Sequence, residues 1–166
     1  MSGRGMTVLH VEDDPAHALF LRRTLGTLGM DIDLVQLADG EAALDYLYRR
    51  NAYRAPASSP RPGLILLDLK LPRVDGHEVL RCVKNEQTLR RIPVVVLSTS
   101  ESDEDVRRAY DFRANGYLVK PVDFRAFVGL VKSVAGFWMT WNRPSTVLPA
   151  EPVPGPPATS SPCLEP

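Results

Sequence analysis

Residues 64–80 read LILLDLKLPRVDGHEVL, and their first four positions decide the architecture. Leu64, Ile65, Leu66 and Leu67 are apolar in succession rather than at every second place, as expected of a strand covered on both faces. Such strands belong to parallel sheets sandwiched between helices. The run stops at Asp68, and a helix then begins where Asp75 is followed three positions later by Glu78.

The same unit recurs on either side. Thr7–Val11 precedes Pro15–Leu28, Ile32–Leu37 precedes Asp39–Arg49, Ile92–Leu97 precedes Ser102–Phe112, and Tyr117–Val119 precedes Asp123–Trp141. Pro15, Ser102 with Asp105, and Asp123 after a proline mark helix starts. Five strand–helix units predict a doubly wound α/β fold. Asn51–Pro62, NAYRAPASSPRP, reads as an inserted loop before the third strand. Eight of the 15 prolines fall in residues 143–166, where no apolar period survives. The expected division is therefore a domain over 1–142 and a proline-rich, flexible tail over 143–166.

Composition narrows the function. The 166 residues carry 20 Lys+Arg against 20 Asp+Glu, so no net charge draws the chain to nucleic acid or to anionic lipid. No apolar run is long enough to span a bilayer, and the acidic residues at 12–14 arrive too early for a signal peptide, so the chain is expected in the cytosol. Cys82 and Cys163 lack any metal-ligand spacing and are expected to be free thiols. His10 is expected to pack inside the first strand, and His17 and His77 to lie on the surface.

Chemistry gathers at the carboxyl ends of the strands, the edge where open parallel sheets bind ligands. The first strand runs into Glu12, Asp13 and Asp14, the third into Asp68, the fourth into Ser98 and Thr99, and the fifth into Lys120. Asp14 serves only as helix N-terminal charge. Carboxylates held this close repel one another unless a divalent cation joins them, and an all-oxygen set selects Mg²⁺ or Mn²⁺ over zinc. A carboxylate beside such an ion can attack phosphorus, because the cation neutralises the phosphoryl oxygens.

The ordered set Glu12-Asp13, Asp68, Ser98 and Lys120-Pro121, with Ser98 30 positions after Asp68 and Lys120 22 after Ser98, resembles the active site of the receiver domain of two-component response regulators over residues 6–141. The resemblance implies a flavodoxin-like (βα)5 fold with a five-stranded parallel sheet in the order 2-1-3-4-5. It implies that Asp68 accepts a phosphoryl group from a histidine kinase. Asp13 would bind Mg²⁺ directly, Glu12 through water, and the Lys70 backbone carbonyl would be a third contact. Ser98 and Tyr117 would form the switch, Lys120 would bind phosphate, and the bond before Pro121 would be cis. Lys70 and Thr99 depart from the commonest family residues and are expected to restrict hydrolytic water. The long loop, the 64–80 stretch and the absence of an output domain are similar to stand-alone regulators paired with phytochrome-type kinases. The apolar end of the last helix, GFWMTWN at 136–142, is similar to their dimerisation segments, which nominates Phe137, Trp138 and Trp141 for a homodimer interface.

The rival reading is a Mg²⁺-dependent aspartate-nucleophile phosphohydrolase. That class normally places a second aspartate two residues after the nucleophile, where this chain has Lys70.

Overall fold

Each of the five helices opens on a side chain that accepts a backbone N–H of its first turn, and these caps set where strand gives way to helix. In the computed structural model, which describes residues 5–145, Asp14 caps α1 (Pro15–Gly26) and Asp39 caps α2 (Gly40–Leu47). Asp75 caps α3 (Gly76–Asn85), Ser102 caps α4 (Asp103–Asp111) and Asp123 caps α5 (Phe124–Ala135). The strands between them are β1 (Met6–Val11), β2 (Ile32–Leu37), β3 (Leu64–Leu67), β4 (Val94–Ser98) and β5 (Gly116–Val119). They pair in parallel in the order β2-β1-β3-β4-β5, as a flavodoxin-like doubly wound fold requires.

β3 shows why its sequence is apolar throughout. Ile65 and Leu67 enter a core with Leu44, Leu47, Leu80 and Val83 of α2 and α3. Leu64 and Leu66 enter the opposite core with Leu21, Leu25, Phe127 and Val131 of α1 and α5. With one side chain of each pair on each face, no position can be left polar.

Residues 51–62 hold two short 3₁₀ turns, Asn51–Tyr53 and Pro56–Ser58. They are tied to α2, where the Tyr46 hydroxyl donates to the Pro60 carbonyl at 2.7 Å and the Arg61 guanidinium donates to the Leu47 carbonyl. Two sequence expectations fail in this part of the structure. His77 is buried rather than on the surface. Cys82, also buried, is disulfide-bonded rather than a free thiol, and the other cysteine lies outside the described residues.

The helical pattern expected to run unbroken to Trp141 changes pitch. After α5 comes a π-helical turn, Gly136–Trp141, in which the Asn142 N–H donates to the Phe137 carbonyl at 2.8 Å. In an α-helix Trp138 and Trp141 would share a face. The wider turn separates them. Trp138 is half-buried and packs with Met139 against the α1–α5 core, while Phe137 and Trp141 are 56% and 81% exposed. Of the three aromatics nominated for an interface, Trp138 is the one that is not exposed. Of the expected tail, residues 146–166 lie outside the described residues. Among the described residues no helix is long and apolar enough to cross a membrane.

Candidate functional site

The sheet ladder delivers the candidate residues to one edge. The Glu12 N–H donates to the Leu37 carbonyl (2.9 Å), Asp68 N–H to Val11 (3.0 Å) and Lys120 N–H to Ser98 (2.7 Å). Residues just beyond three strands therefore stand beside Ser98, the last of β4. Glu12, Asp13 and Asp68 each offer a carboxylate oxygen, all within 4.8 Å of one another. Glu12 and Asp68 are buried and Asp13 is exposed.

Lys120 enters from β5, only 4% exposed. Its ammonium donates to Asp68 Oδ2 at 2.9 Å and to Glu12 Oε2. Burial pushes the Glu12 carboxyl up to about 7, with Lys120 pulling the other way. His10, behind Glu12, is held neutral. Burial foremost, then the Lys120 charge, brings its pKa down to about 3. One ammonium among three carboxylates leaves room in the charge balance for a divalent cation, and an oxygen-only donor set fits Mg²⁺ or Mn²⁺.

The β3–α3 loop closes over the acids. The Lys70 N–H donates to Asp68 Oδ1 at 3.3 Å, while its side chain and Thr99 are exposed. The Lys120–Pro121 bond is trans, since no cis peptide occurs among the described residues, which corrects the cis expectation.

On the other side, buried Ser98 is joined to Tyr117 through Ser100. Ser98 Oγ accepts from the Ser100 N–H (3.2 Å), and the half-buried Tyr117 donates its hydroxyl to the Ser100 carbonyl (2.9 Å). The ring already faces the β4–α4 loop. Ser100 Oγ donates to Asp105 Oδ2 (2.6 Å), and Asp105 Oδ1 lies 3.2 Å from His77 Nε2. Those two contacts, Ser100 first, hold the Asp105 carboxyl below the usual range.

Sequence reasoning missed His17, Ser100, His77 and Asp105. His17 was expected on the surface, yet it stands at the pocket rim with Nδ1 3.3 Å from Lys120 Nζ. Its signal was present: three positions after the Asp14 cap, a first-turn side chain points back toward the strand end. His77 and Asp105 meet only because α3 and α4 are neighbours, which no local pattern announces.

A parallel five-stranded α/β sheet that gathers three carboxylates, a buried lysine and a buried hydroxyl at its carboxyl edge defines a phosphoryl-switch domain. The chain belongs to the response regulator receiver domain family, whose pattern matches residues 8–132. It is 46% identical over 136 residues to the probable methanogenesis regulatory protein FilR2 of Methanothrix harundinacea (strain 6Ac), covering 82% of this chain and 85% of that one. It is 41% identical over 132 residues to the response regulator Rcp1 of Synechocystis, covering 80% and 88%. The Mn²⁺-bound structure of Rcp1 superposes with a TM-score of 0.80 at 39% identity, over 84% of this chain and 98% of that one. The phosphorylated cyanobacterial phytochrome response regulator RcpA gives a TM-score of 0.81 at 36% identity, over 86% and 99%. The chain is therefore a two-component signalling protein, and the phosphohydrolase alternative falls.

Proposed function

We propose that Asp68 accepts a phosphoryl group from a histidine kinase in a Mg²⁺-dependent reaction, and that this changes the surface of α4, β5 and α5. The observation that carries the reading is the Lys120 ammonium, buried and bonded to both Asp68 and Glu12. It holds the acceptor carboxylate in place and can follow the charge that develops on a phosphoryl oxygen. Asp13 and Asp68 would hold the metal directly, Glu12 through water and Lys70 through its backbone carbonyl. The ion, when bound, neutralises phosphoryl oxygens during transfer. Ser98 donates to the new phosphoryl group, and its link through Ser100 to Tyr117 carries the change outward. The protein acts on no external substrate and catalyses only its own phosphorylation and dephosphorylation, in the cytoplasm, with no membrane or nucleic-acid partner. The likeness to RcpA favours a phytochrome-type kinase as donor. Phe137 and Trp141, exposed on the π-helical turn and backed by Trp138, form a homodimer interface.

The test is intact-mass measurement after incubation with Mg²⁺ and acetyl phosphate. One added phosphate is expected in the wild type and none in Asp68→Asn. Labelling of that variant at the wild-type rate would refute the assignment.

A further inference from the structure

An ammonium has three N–H donors and no acceptor. Two of those on Lys120 go to Asp68 Oδ2 and Glu12 Oε2. The remaining neighbour is His17 Nδ1, 3.3 Å away. A hydrogen on that nitrogen would point one N–H donor at another, so Nδ1 presents its lone pair to Lys120 and Nε2 carries the ring hydrogen. The other groups near Nδ1, Asp14 Oδ2 at 3.6 Å and Glu12 Oε1 at 3.9 Å, stand outside hydrogen-bond reach.

The ring is not free to leave. It rises from the first turn of α1 and stacks on the buried Phe127 of α5, centroids 5.8 Å apart and planes at 23°. Two elements thus fix a ring that completes the lysine's coordination on the α1 side of a buried ammonium.

We infer that His17 is a positioning residue for phosphoryl acceptance: as the third hydrogen-bond acceptor of Lys120, it fixes the direction of the ammonium that serves Asp68. This rests on the reading of Asp68 and Lys120 given above. Two carboxylates alone leave the third N–H to water arriving from the α1 side. The ammonium then spends part of its time turned away from the acceptor, and the rate at saturating donor falls. His17 touches neither Asp68 nor the reacting atoms, so its effect passes entirely through Lys120.

The experiment compares the wild type with His17→Ala, His17→Phe and His17→Gln. Initial rates of phosphorylation are measured against acetyl phosphate concentration at saturating Mg²⁺, with Asp68→Asn alongside. Phenylalanine keeps the stack and the cover but has no acceptor, and glutamine restores an acceptor. The loss of one net hydrogen bond predicts a saturating rate about three- to tenfold lower for His17→Ala and His17→Phe, with His17→Gln within about twofold of wild type. Wild-type rates in His17→Ala and His17→Phe would overturn the inference, as would a glutamine variant as slow as alanine. A second readout does not need phosphorylation. In ¹⁵N-lysine-labelled protein the Lys120 ammonium resonance should be protected from water exchange in the wild type and His17→Gln and broadened in the other two. If the wild type takes no phosphate while this pattern holds, the reading of Asp68 has failed and the role of His17 on Lys120 stands. An unchanged Lys120 resonance in all four proteins would end the inference alone.

Discussion

Glu12 is buried against Lys120 and its carboxyl is pushed up to about 7 by that burial, so near neutrality it exchanges a proton on the way to holding a metal. The sign follows directly. A divalent cation needs the ionised carboxylate, so protons compete with metal below about pH 7 and cease to compete above it. Mg²⁺ affinity measured by calorimetry should therefore rise by up to about tenfold per pH unit from pH 5.5 toward 7 and level off by pH 8. Glu12→Gln should bind weakly with a much flatter profile. A wild-type affinity that stays level from pH 5.5 to 8 would remove Glu12 from the metal site. His10, two residues away and held neutral to about pH 3, adds no competing titration in that window.

Between elements, a close backbone approach beside the pocket is made by the start of α3. A Cβ on Gly76 would come within 2.1 Å of the Asp68 carbonyl oxygen and 2.6 Å of Leu69 Cα, both backbone atoms that cannot swing aside. The Gly76 N–H also donates to the Leu69 carbonyl at 2.8 Å, so α3 is seated directly on the residues that carry the acceptor. Gly76→Ala should cost about 1–3 kcal/mol in urea unfolding, as overpacking does, and should slow phosphorylation of the protein that remains folded. A stable, fully active Gly76→Ala protein would mean the two elements can part without consequence. Contacts of this kind explain what the sequence could convey. Consecutive apolar residues in LILL and VVVL, and an Asp or Ser before each helix, state the element order, because each is a local requirement on strand or cap. The strand-end residues were legible as a site because parallel topology sends them all to one edge. The π-helical turn was not legible, since Gly136–Trp141 continues an apolar helical pattern and only three-dimensional packing selects the wider pitch. Nor was the His77–Asp105 contact, which joins residues 28 positions apart on neighbouring helices.

At the scale of the molecule, α1 and α5 cover one face of the sheet, and the turn after α5 carries Phe137 and Trp141 beyond it. Large aromatics left in water forgo about 1.5–3 kcal/mol each relative to burial, and a two-fold mate presenting the same surface covers both at once. Light scattering at tens of micromolar should give a dimer for the intact chain and for a chain ending at Asn142, and a monomer for Phe137→Ala combined with Trp141→Ala. A monomeric intact chain would end the interface assignment, and a dimer that dissociates only on removal of the tail would transfer it to residues 143–166. The placement of this turn has an optical consequence. α5 leaves the carboxyl edge just after Lys120 and runs back across the sheet, which sets both of the chain's tryptophans on the order of 20 Å from the acid pocket. Excited at long ultraviolet wavelength, where tyrosine does not absorb, the protein emits only from Trp138 and Trp141. One of these indoles is tucked against the core and the other lies open to quenchers, so an iodide titration should resolve two populations whose exposed member reports self-association.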